Sequence, residues 1–220
     1  MWSRQFNYRY IGVAAALSVS AGVNAQMPGT PTLQNAFANP GITAAVDVSG
    51  LGGASSYAGA VAWAPGSSRF QLSAGVGVQT RTGAPSRTVY GGRLNFPILG
   101  ATSSFGVSAF AGYGGISGAS VDSATIKSLV PIGVTGSYRL AVGTAHGVSL
   151  YGSPIYELVG RGGGAGNVSV FRGALGLDIG ITRSIGATLG VELGKTEAPG
   201  SGRPSGTAFG AAVSYAIGAR

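Results

Sequence analysis

The stretch FQLSAGVGVQ, residues 70–79, decides the fold of this 220-residue chain. Its larger apolar residues alternate with small or polar ones, so the two sets lie on opposite faces of an extended strand. Leu72 and Val76 share one face, whereas Ser73 and Gln79 share the other. Similar segments recur after residue 40 without a helical stretch between them, which is typical of a membrane β-barrel.

The alternation predicts an all-β fold, a closed antiparallel transmembrane β-barrel of ten strands. Most segments have about the nine to eleven residues that a tilted strand needs to cross a bilayer, and an even number brings both termini to one side. An eight-stranded barrel is the alternative if the first two segments are not strands. The predicted strands are 42–49, 57–64, 69–80, 88–96, 103–113, 128–140, 147–156, 167–181, 184–193 and 206–217.

The connections between these strands alternate in length, as they do in outer-membrane barrels with short periplasmic turns and longer outside loops. We therefore expect a periplasmic N-terminus, four inside turns and five outside loops. The short connections are 65–68, 97–102, 141–146 and 182–183, and the longer ones are 50–56, 81–87, 114–127, 155–166 and 194–205.

The first 25 residues have the three parts of a secretory signal. Arg4 and Arg9 are basic, an apolar run covers 11–19, and Val23-Asn24-Ala25 is a small-residue cleavage pattern. We expect cleavage after Ala25, which leaves an N-terminal extension over 26–40 and one barrel domain over 41–220. A retained N-terminal anchor is the alternative.

The composition argues against several other kinds of protein and of site. The chain has no cysteine, which excludes disulfides and thiolate metal sites. Glycine is very frequent at 41 residues, but the mean hydropathy of +0.32 argues against a disordered chain. The formal charge is +8, yet the basic residues are scattered and do not form the stripe of a nucleic-acid binder. Arginines on the surface are suited to contact anionic lipid headgroups.

Parity along each strand predicts which side chains face lipid. Aromatic residues near strand ends fit the interfacial girdles of a membrane barrel. A soluble β-sandwich is the rival fold, because alternation alone does not distinguish lipid from a second sheet. The predicted outward residues are Ile42, Ala44, Val46, Val48, Tyr90, Leu94, Phe96, Val130, Ile132, Val134, Tyr138, Leu175, Leu177, Ile179, Ile185, Leu189 and Val191; the predicted girdle residues are Tyr57, Trp63, Phe70, Tyr90, Phe96, Tyr113, Tyr138, Phe171 and Tyr215.

Six charged residues interrupt the strands on the opposite, inward parity, and they are the candidate lumen or constriction residues. A charged side chain on the lipid face costs a few kcal/mol near the midplane, which supports this assignment. We expect Arg172 to lie opposite Glu192 and to form a cross-strand ion pair near the extracellular end. The six residues are Asp47, Arg93, Arg139, Arg172, Asp178 and Glu192.

Two interpretations of these charges remain. They line a narrow constriction that selects solutes, or they fill a closed interior in which opposite charges neutralise each other. The second is favoured because barrels of about eight strands have interiors that side chains just fill. Small inward residues favour a narrow path instead, and they are Gly75, Gly77, Ala174, Gly176, Gly186, Gly190, Gly210 and Ala212.

We predict that the chain is not an enzyme and binds no cofactor or metal. Its single histidine, His146, lies in a predicted turn and has no second candidate residue to orient it for a Ser-His hydrolase. A surface-loop adhesin or ligand-binding barrel is the main alternative function, and a lipid-modifying enzyme is a weaker one. The loops lack the clustered Tyr, Trp and Arg of an adhesive surface.

The signal segment, the alternating strands and the terminal strand 207–217 together resemble the small outer-membrane β-barrel proteins of Gram-negative bacteria, such as porin-like barrels and the barrel of outer membrane protein A. The resemblance covers nearly all of the mature chain, is architectural, and points to no subfamily. It implies a place in the bacterial outer membrane, contact with its lipid and lipopolysaccharide, and insertion by the outer-membrane assembly machinery. The chain departs from the usual closing aromatic residue by ending Gly218-Ala219-Arg220.

Overall fold

The computed structural model describes residues 41–51, 54–66, 70–99, 104–117, 126–142, 146–162, 166–182, 184–194 and 207–217. The predicted signal segment, its cleavage after Ala25 and the extension 26–40 lie outside these ranges. Ten strands are present: β1 Gly41–Leu51, β2 Ala54–Ala64, β3 Gln71–Arg81, β4 Ala84–Leu99, β5 Phe105–Ser117, β6 Ile126–Val142, β7 His146–Arg161, β8 Val168–Gly180, β9 Ile185–Gly194 and β10 Ala208–Ile217. The prediction of ten strands is confirmed, and the eight-stranded alternative is wrong.

Each strand pairs antiparallel with its neighbours in sequence, and β1 pairs with β10 to close the barrel. The closing register runs from Ile42 opposite Ile217 to Gly50 opposite Phe209. Closure gives every strand two partners, so no sheet edge is left unpaired. The end where β1 begins and β10 ends is called the turn end below, and the opposite end is called the loop end.

The alternation along the strands separates an apolar outer surface from an interior of mostly small or polar side chains. Val46 is 66% exposed on the outer surface, whereas its neighbours Ala45 and Asp47 are 7% and 8% exposed inside. In β3, Leu72 and Val76 are exposed outside and Ser73 is buried inside, as the alternation in residues 70–79 predicts. An apolar surface that surrounds the whole barrel is suited to hydrocarbon rather than to water. The large apolar side chains therefore do not face a second sheet, and the β-sandwich alternative is wrong.

Two of the predicted long loops are short hairpins. Arg81 of β3 pairs with Ala84 of β4, so only two residues separate these strands. Leu51 likewise pairs with Ala54. Gly83 has a φ of 75°, in the left-handed region that lets glycine turn the chain sharply. The Gly- and Ser-rich stretches near 50–56 and 81–87 therefore mostly extend the strands rather than forming loops.

Strand β7 also runs further than predicted, to Arg161, so most of the predicted loop 155–166 lies in the sheet. Strands β4, β6 and β7 have 16, 17 and 16 residues, well above the number needed to cross a bilayer. Within the described ranges, no helix is long and apolar enough to cross a membrane.

Candidate functional site: the barrel interior

The six predicted interior charges all lie on the inward parity of their strands, but in two different environments. Four of them are buried; they are Asp47, Arg93, Arg172 and Glu192, each at most 8% exposed. Arg139 is exposed and Asp178 is half-buried, and both line a cavity at the turn end. The interior therefore has three regions: a middle layer, an ion-pair cluster toward the loop end, and the turn-end cavity.

The middle layer is built around Arg93 of β4 and Phe110 of β5. The guanidinium carbon of Arg93 lies 3.6 Å from the centre of the Phe110 ring, which is a close cation–π contact. Arg93 Nε also donates a hydrogen bond to Asn95 Oδ1 at 2.7 Å. Asn95 Nδ2 in turn donates to Gln71 Oε1 at 3.1 Å. The guanidinium of Arg93 is thus stabilised by the Phe110 ring and by the side-chain amides of Asn95 and Gln71.

Phe110 also extends the layer toward the opposite strands. It packs with Ile155 of β7 and Ala174 of β8 in a buried apolar cluster, in which each residue is at most 4% exposed. A methyl group added at Gly133 would collide with the Phe110 ring, so the ring fills the space that this glycine leaves open. Side chains from β4, β5, β7 and β8 therefore take part in this middle layer.

Tyr151 of β7 completes the layer by lying across the inner wall of β8 and β9. It is 5% exposed and pairs directly with Gly176, which itself pairs with Gly190. A Cβ atom at either glycine would collide with the Tyr151 side chain. Because the two glycines have no side chain, they leave the space that the phenol ring of Tyr151 occupies.

Toward the loop end, Arg172 of β8 lies between two carboxylates. Its Nε is 2.6 Å from Glu192 Oε1, and its Nη1 donates a hydrogen bond to Glu157 Oε2 at 3.4 Å. The predicted ion pair is present, but the expected register is wrong. Arg172 lies opposite Gly194, and Ala174 lies opposite Glu192, so the pair forms along a diagonal. The long Arg and Glu side chains span the two-residue offset.

At the turn end, the interior opens into a cavity of about 360 Å³. Polar side chains from seven strands line it; they are Thr43, Gln71, Arg139, Ser149, Asp178, Thr188 and Ser214. Thr188 Oγ1 donates a hydrogen bond to Asp178 Oδ1 at 2.5 Å. The cavity therefore presents one cationic group, one anionic group and several hydroxyls.

Sequence reasoning missed Glu157, Phe110 and Tyr151 as interior residues. Glu157 was placed in a loop because the predicted seventh strand ended at residue 156. Continuing its inward parity through Ser153 and Ile155 would have found Glu157. Phe110 has the same parity as Ser108, and Tyr151 has the same parity as Ser149, so strand parity could also have placed both rings inside; the general assignment of large apolar residues to lipid obscured this signal.

Within the ranges that the structure covers, no group of three or more His, Cys, Asp or Glu residues is placed to hold a metal. His146 begins β7, and Ser149 is buried on the inner wall of the same strand.

No family model matches the chain, and no curated protein matches it. Among solved structures, it is similar to the translocator domain of the autotransporter NalP from Neisseria meningitidis, with 13% identity, a TM-score of 0.46, and coverage of 80% of this chain and 87% of that one. The KdgM porin is similar at 11% identity and a TM-score of 0.39, over 80% of this chain and 99% of that one.

A bacterial polysaccharide outer membrane secretin is similar at 12% identity and a TM-score of 0.45, over 74% of this chain. This chain spans 57% of the secretin, a little more than half of its length. The structure itself defines the class: a closed, antiparallel, ten-stranded β-barrel with an apolar outer surface. The architectural resemblance predicted from the sequence is confirmed, and no subfamily is identified.

Proposed function

We propose that this chain is an integral β-barrel of the bacterial outer membrane with a lumen closed at mid-height, and that its role is structural rather than that of a passive pore. The observation that carries the proposal is the middle layer. Arg93, Phe110, Tyr151, Ile155 and Ala174 come from four strands, and none is more than 5% exposed. A water-filled path beside them would leave them accessible, so their burial supports a filled lumen.

The chemistry of the layer also opposes ion flow. A hydrated ion would have to displace Arg93 from the Phe110 ring, and a desolvated cation–π contact contributes about 2 kcal/mol. The fixed positive charge of Arg93 adds repulsion for cations in a space of low dielectric constant. The layer is therefore a steric barrier to all ions and an electrostatic barrier to cations.

A narrow passive channel is the second candidate, and the turn-end cavity favours it. Arg139 and Asp178 line it, as expected for charged residues that select solutes at a channel entrance. Such a channel requires the middle layer to move aside. The proposed outer-membrane location also includes three expectations from the sequence. They are export with cleavage after Ala25, contact with lipopolysaccharide, and insertion by the outer-membrane assembly machinery.

Single-channel recording in planar bilayers tests the proposal. The wild-type barrel is expected to give no discrete current steps. The double variant Arg93→Ser with Phe110→Ala removes both the charge and the ring, so it is expected to give steps at the same voltage and salt concentration. Phe171→Ala is the matched control, because Phe171 is 68% exposed on the outer surface and its loss leaves the lumen unchanged.

Heat-dependent mobility on gels shows in each case that the barrel is folded. Wild-type steps that change when Arg93 or Arg139 is neutralised would overturn the closed lumen and establish the channel.

A further inference from the structure

Of the buried interior charges, Asp47 belongs to neither the middle layer nor the ion-pair cluster. It lies on the inner wall of β1 and is 8% exposed. Its direct neighbours on the adjacent strands are Ala58 of β2 and Ala212 of β10, which have no polar side-chain atoms. Among the residues that the structure describes, no ion pair or hydrogen bond reaches the Asp47 side chain. Asp47 is therefore a buried carboxyl group without a counter-charge from the chain.

Two buried hydroxyl groups lie beside Asp47. Ser49 of β1 pairs directly with Ser56 of β2, and these residues are 4% and 0% exposed. The Oγ atom of each is enclosed and has no hydrogen-bond partner within the described ranges. Buried polar side-chain atoms in folded proteins nearly always have a partner. Two such hydroxyls next to a buried carboxyl group therefore indicate that this part of the inner wall binds something.

The register brings the three side chains within reach of one small ion. Directly opposed residues of an antiparallel pair have Cβ atoms about 5 Å apart, and diagonal neighbours about 7 to 8 Å. Ser49 and Ser56 are directly opposed, and Asp47 is the diagonal neighbour of Ser56. Arg87 of β4 lies two strands beyond Ser56, roughly 10 Å away between backbones, and forms no ion pair with Asp47.

The charge and the hydroxyls together decide between water, a proton and a cation as the occupant. A water molecule satisfies the two hydroxyls but leaves a carboxylate charge uncompensated in a space of low dielectric constant. A proton on Asp47 removes that charge but leaves the Oγ atoms of Ser49 and Ser56 in need of partners. A cation with oxygen ligands meets both requirements. One carboxylate matches one positive charge, whereas Ca²⁺ takes roughly six to eight oxygen ligands.

We propose that Asp47, Ser49 and Ser56 bind a monovalent alkali cation, such as Na⁺, on the inner wall of β1 and β2. The Asp47 carboxylate supplies the counter-charge, the two hydroxyl oxygens are further ligands, and water completes the coordination. The site differs from the expectation, drawn from the sequence, that the chain binds no metal. It is also independent of whether the lumen is closed, because the ligands lie on the wall and outside the middle layer.

Urea unfolding of the full barrel in phosphatidylcholine vesicles tests the proposal, at about pH 8, where an ordinary aspartate is ionised. N-methylglucamine replaces Na⁺ to keep the ionic strength constant, and it is too large for the space between opposed side chains. A ligand that binds the folded state alone lowers the equilibrium constant of unfolding. We expect this constant to fall nearly tenfold for each tenfold rise in Na⁺ above its dissociation constant. The same constant at all Na⁺ concentrations would overturn the proposal, because bound water or a proton does not depend on Na⁺.

Two variants separate the contributions of the carboxylate and the hydroxyls. Asp47→Asn keeps the size of the side chain and removes its charge, so it is expected to abolish the dependence on Na⁺. The double variant Ser49→Ala with Ser56→Ala keeps the charge and is expected to weaken Na⁺ binding at least tenfold. Dependence on Na⁺ that persists in Asp47→Asn, or that is undiminished in the double serine variant, would overturn the proposal.

Ser108→Ala is the matched control. Ser108 of β5 is 1% exposed, and its Oγ atom is likewise enclosed without a hydrogen-bond partner in the described part of the chain. Its direct neighbours are Pro97 and Thr135, so no carboxylate lies opposite it. This variant is expected to keep the full dependence on Na⁺, and an equal loss there would contradict a site at Asp47. Current recordings do not enter this test, so failure here and failure of the closed lumen are distinguishable.

Discussion

At the scale of single residues, Arg172 is the group on which the charge balance toward the loop end depends. It lies between Glu157 and Glu192, and all three residues are at most 8% exposed. Arg172→Ala would leave two buried carboxylates near each other without the cation that lies between them. We expect this variant to lower the free energy of unfolding by about 3 to 5 kcal/mol, measured by urea unfolding in lipid vesicles.

The matched control replaces the whole cluster with uncharged groups of similar size, as Glu157→Gln, Arg172→Met and Glu192→Gln together. This triple variant is expected to recover most of the loss, because the cost of Arg172→Ala comes from the unpaired charges rather than from the missing side chain. If the triple variant is as unstable as Arg172→Ala, the loss comes from packing and the electrostatic explanation is wrong.

The same cluster shows what the sequence predicts about single residues. Strand parity correctly placed Arg172 and Glu192 on one inner face, because a period of two fixes the face of every residue in a strand. Parity does not fix register, so the diagonal contact was predicted as a direct one. Glu157 was missed for a different reason: the predicted seventh strand ended at residue 156, although Leu158 and Val159 continue its apolar pattern.

At the scale of strands, the inner wall of β7, β8 and β9 depends on glycine. Tyr151 occupies the space above Gly176 and Gly190, where a Cβ atom would collide with it. We expect Gly176→Ala to destabilise the barrel by about 1 to 3 kcal/mol, because the buried tyrosine has to leave its position to accommodate a methyl group. Urea unfolding in vesicles measures this change as well.

Gly173, on the same strand, provides the matched control. It lies on the outward parity of β8, and a Cβ atom there would have no neighbour within 4 Å. Gly173→Ala is expected to leave stability unchanged or to raise it by about 0.4 to 1 kcal/mol, since alanine restricts the unfolded chain. Equal destabilisation by the two substitutions would show that the loss reflects glycine in a strand generally, and would contradict a specific role for Tyr151.

Strand boundaries were predicted less well than strand number. The apolar alternation weakens toward the loop ends of β1 to β4, where Gly, Ser and Thr become frequent, so the pattern no longer distinguishes strand from loop there. The backbone nevertheless continues to pair at these ends, as Leu51 with Ala54 and Arg81 with Ala84 show. Hydrogen bonding between neighbours extends the strands there without apolar side chains.

At the scale of the whole molecule, two aromatic girdles mark how the barrel sits in a bilayer. Tyr57 and Trp63 of β2 lie six residues apart, and Phe105 and Tyr113 of β5 lie eight apart, all with side chains exposed on the outer surface. These spacings correspond to roughly 20 to 27 Å along the strands. Because the strands of outer-membrane barrels tilt by about 35 to 45°, the spacings are roughly 14 to 22 Å along the membrane normal, somewhat less than the apolar band of about 25 Å between the girdles of such barrels. The turn-end girdle, which contains Trp63 and Phe105, therefore belongs at one lipid–water interface.

Trp63 reports the position of that girdle directly. In a chain that starts at residue 26 it is the sole tryptophan, and its ring contacts Phe70 edge-on, with 5.6 Å between the ring centres. We expect lipids brominated near the headgroup to quench its fluorescence more than lipids brominated near the tail ends, because an indole ring is stabilised at the interface. Val76→Trp in a Trp63→Phe chain is the control. Val76 lies midway along β3 and is 58% exposed outside, so deep bromines should quench it most. Identical depth profiles for the two tryptophans would show that the outer surface does not span the bilayer in this orientation.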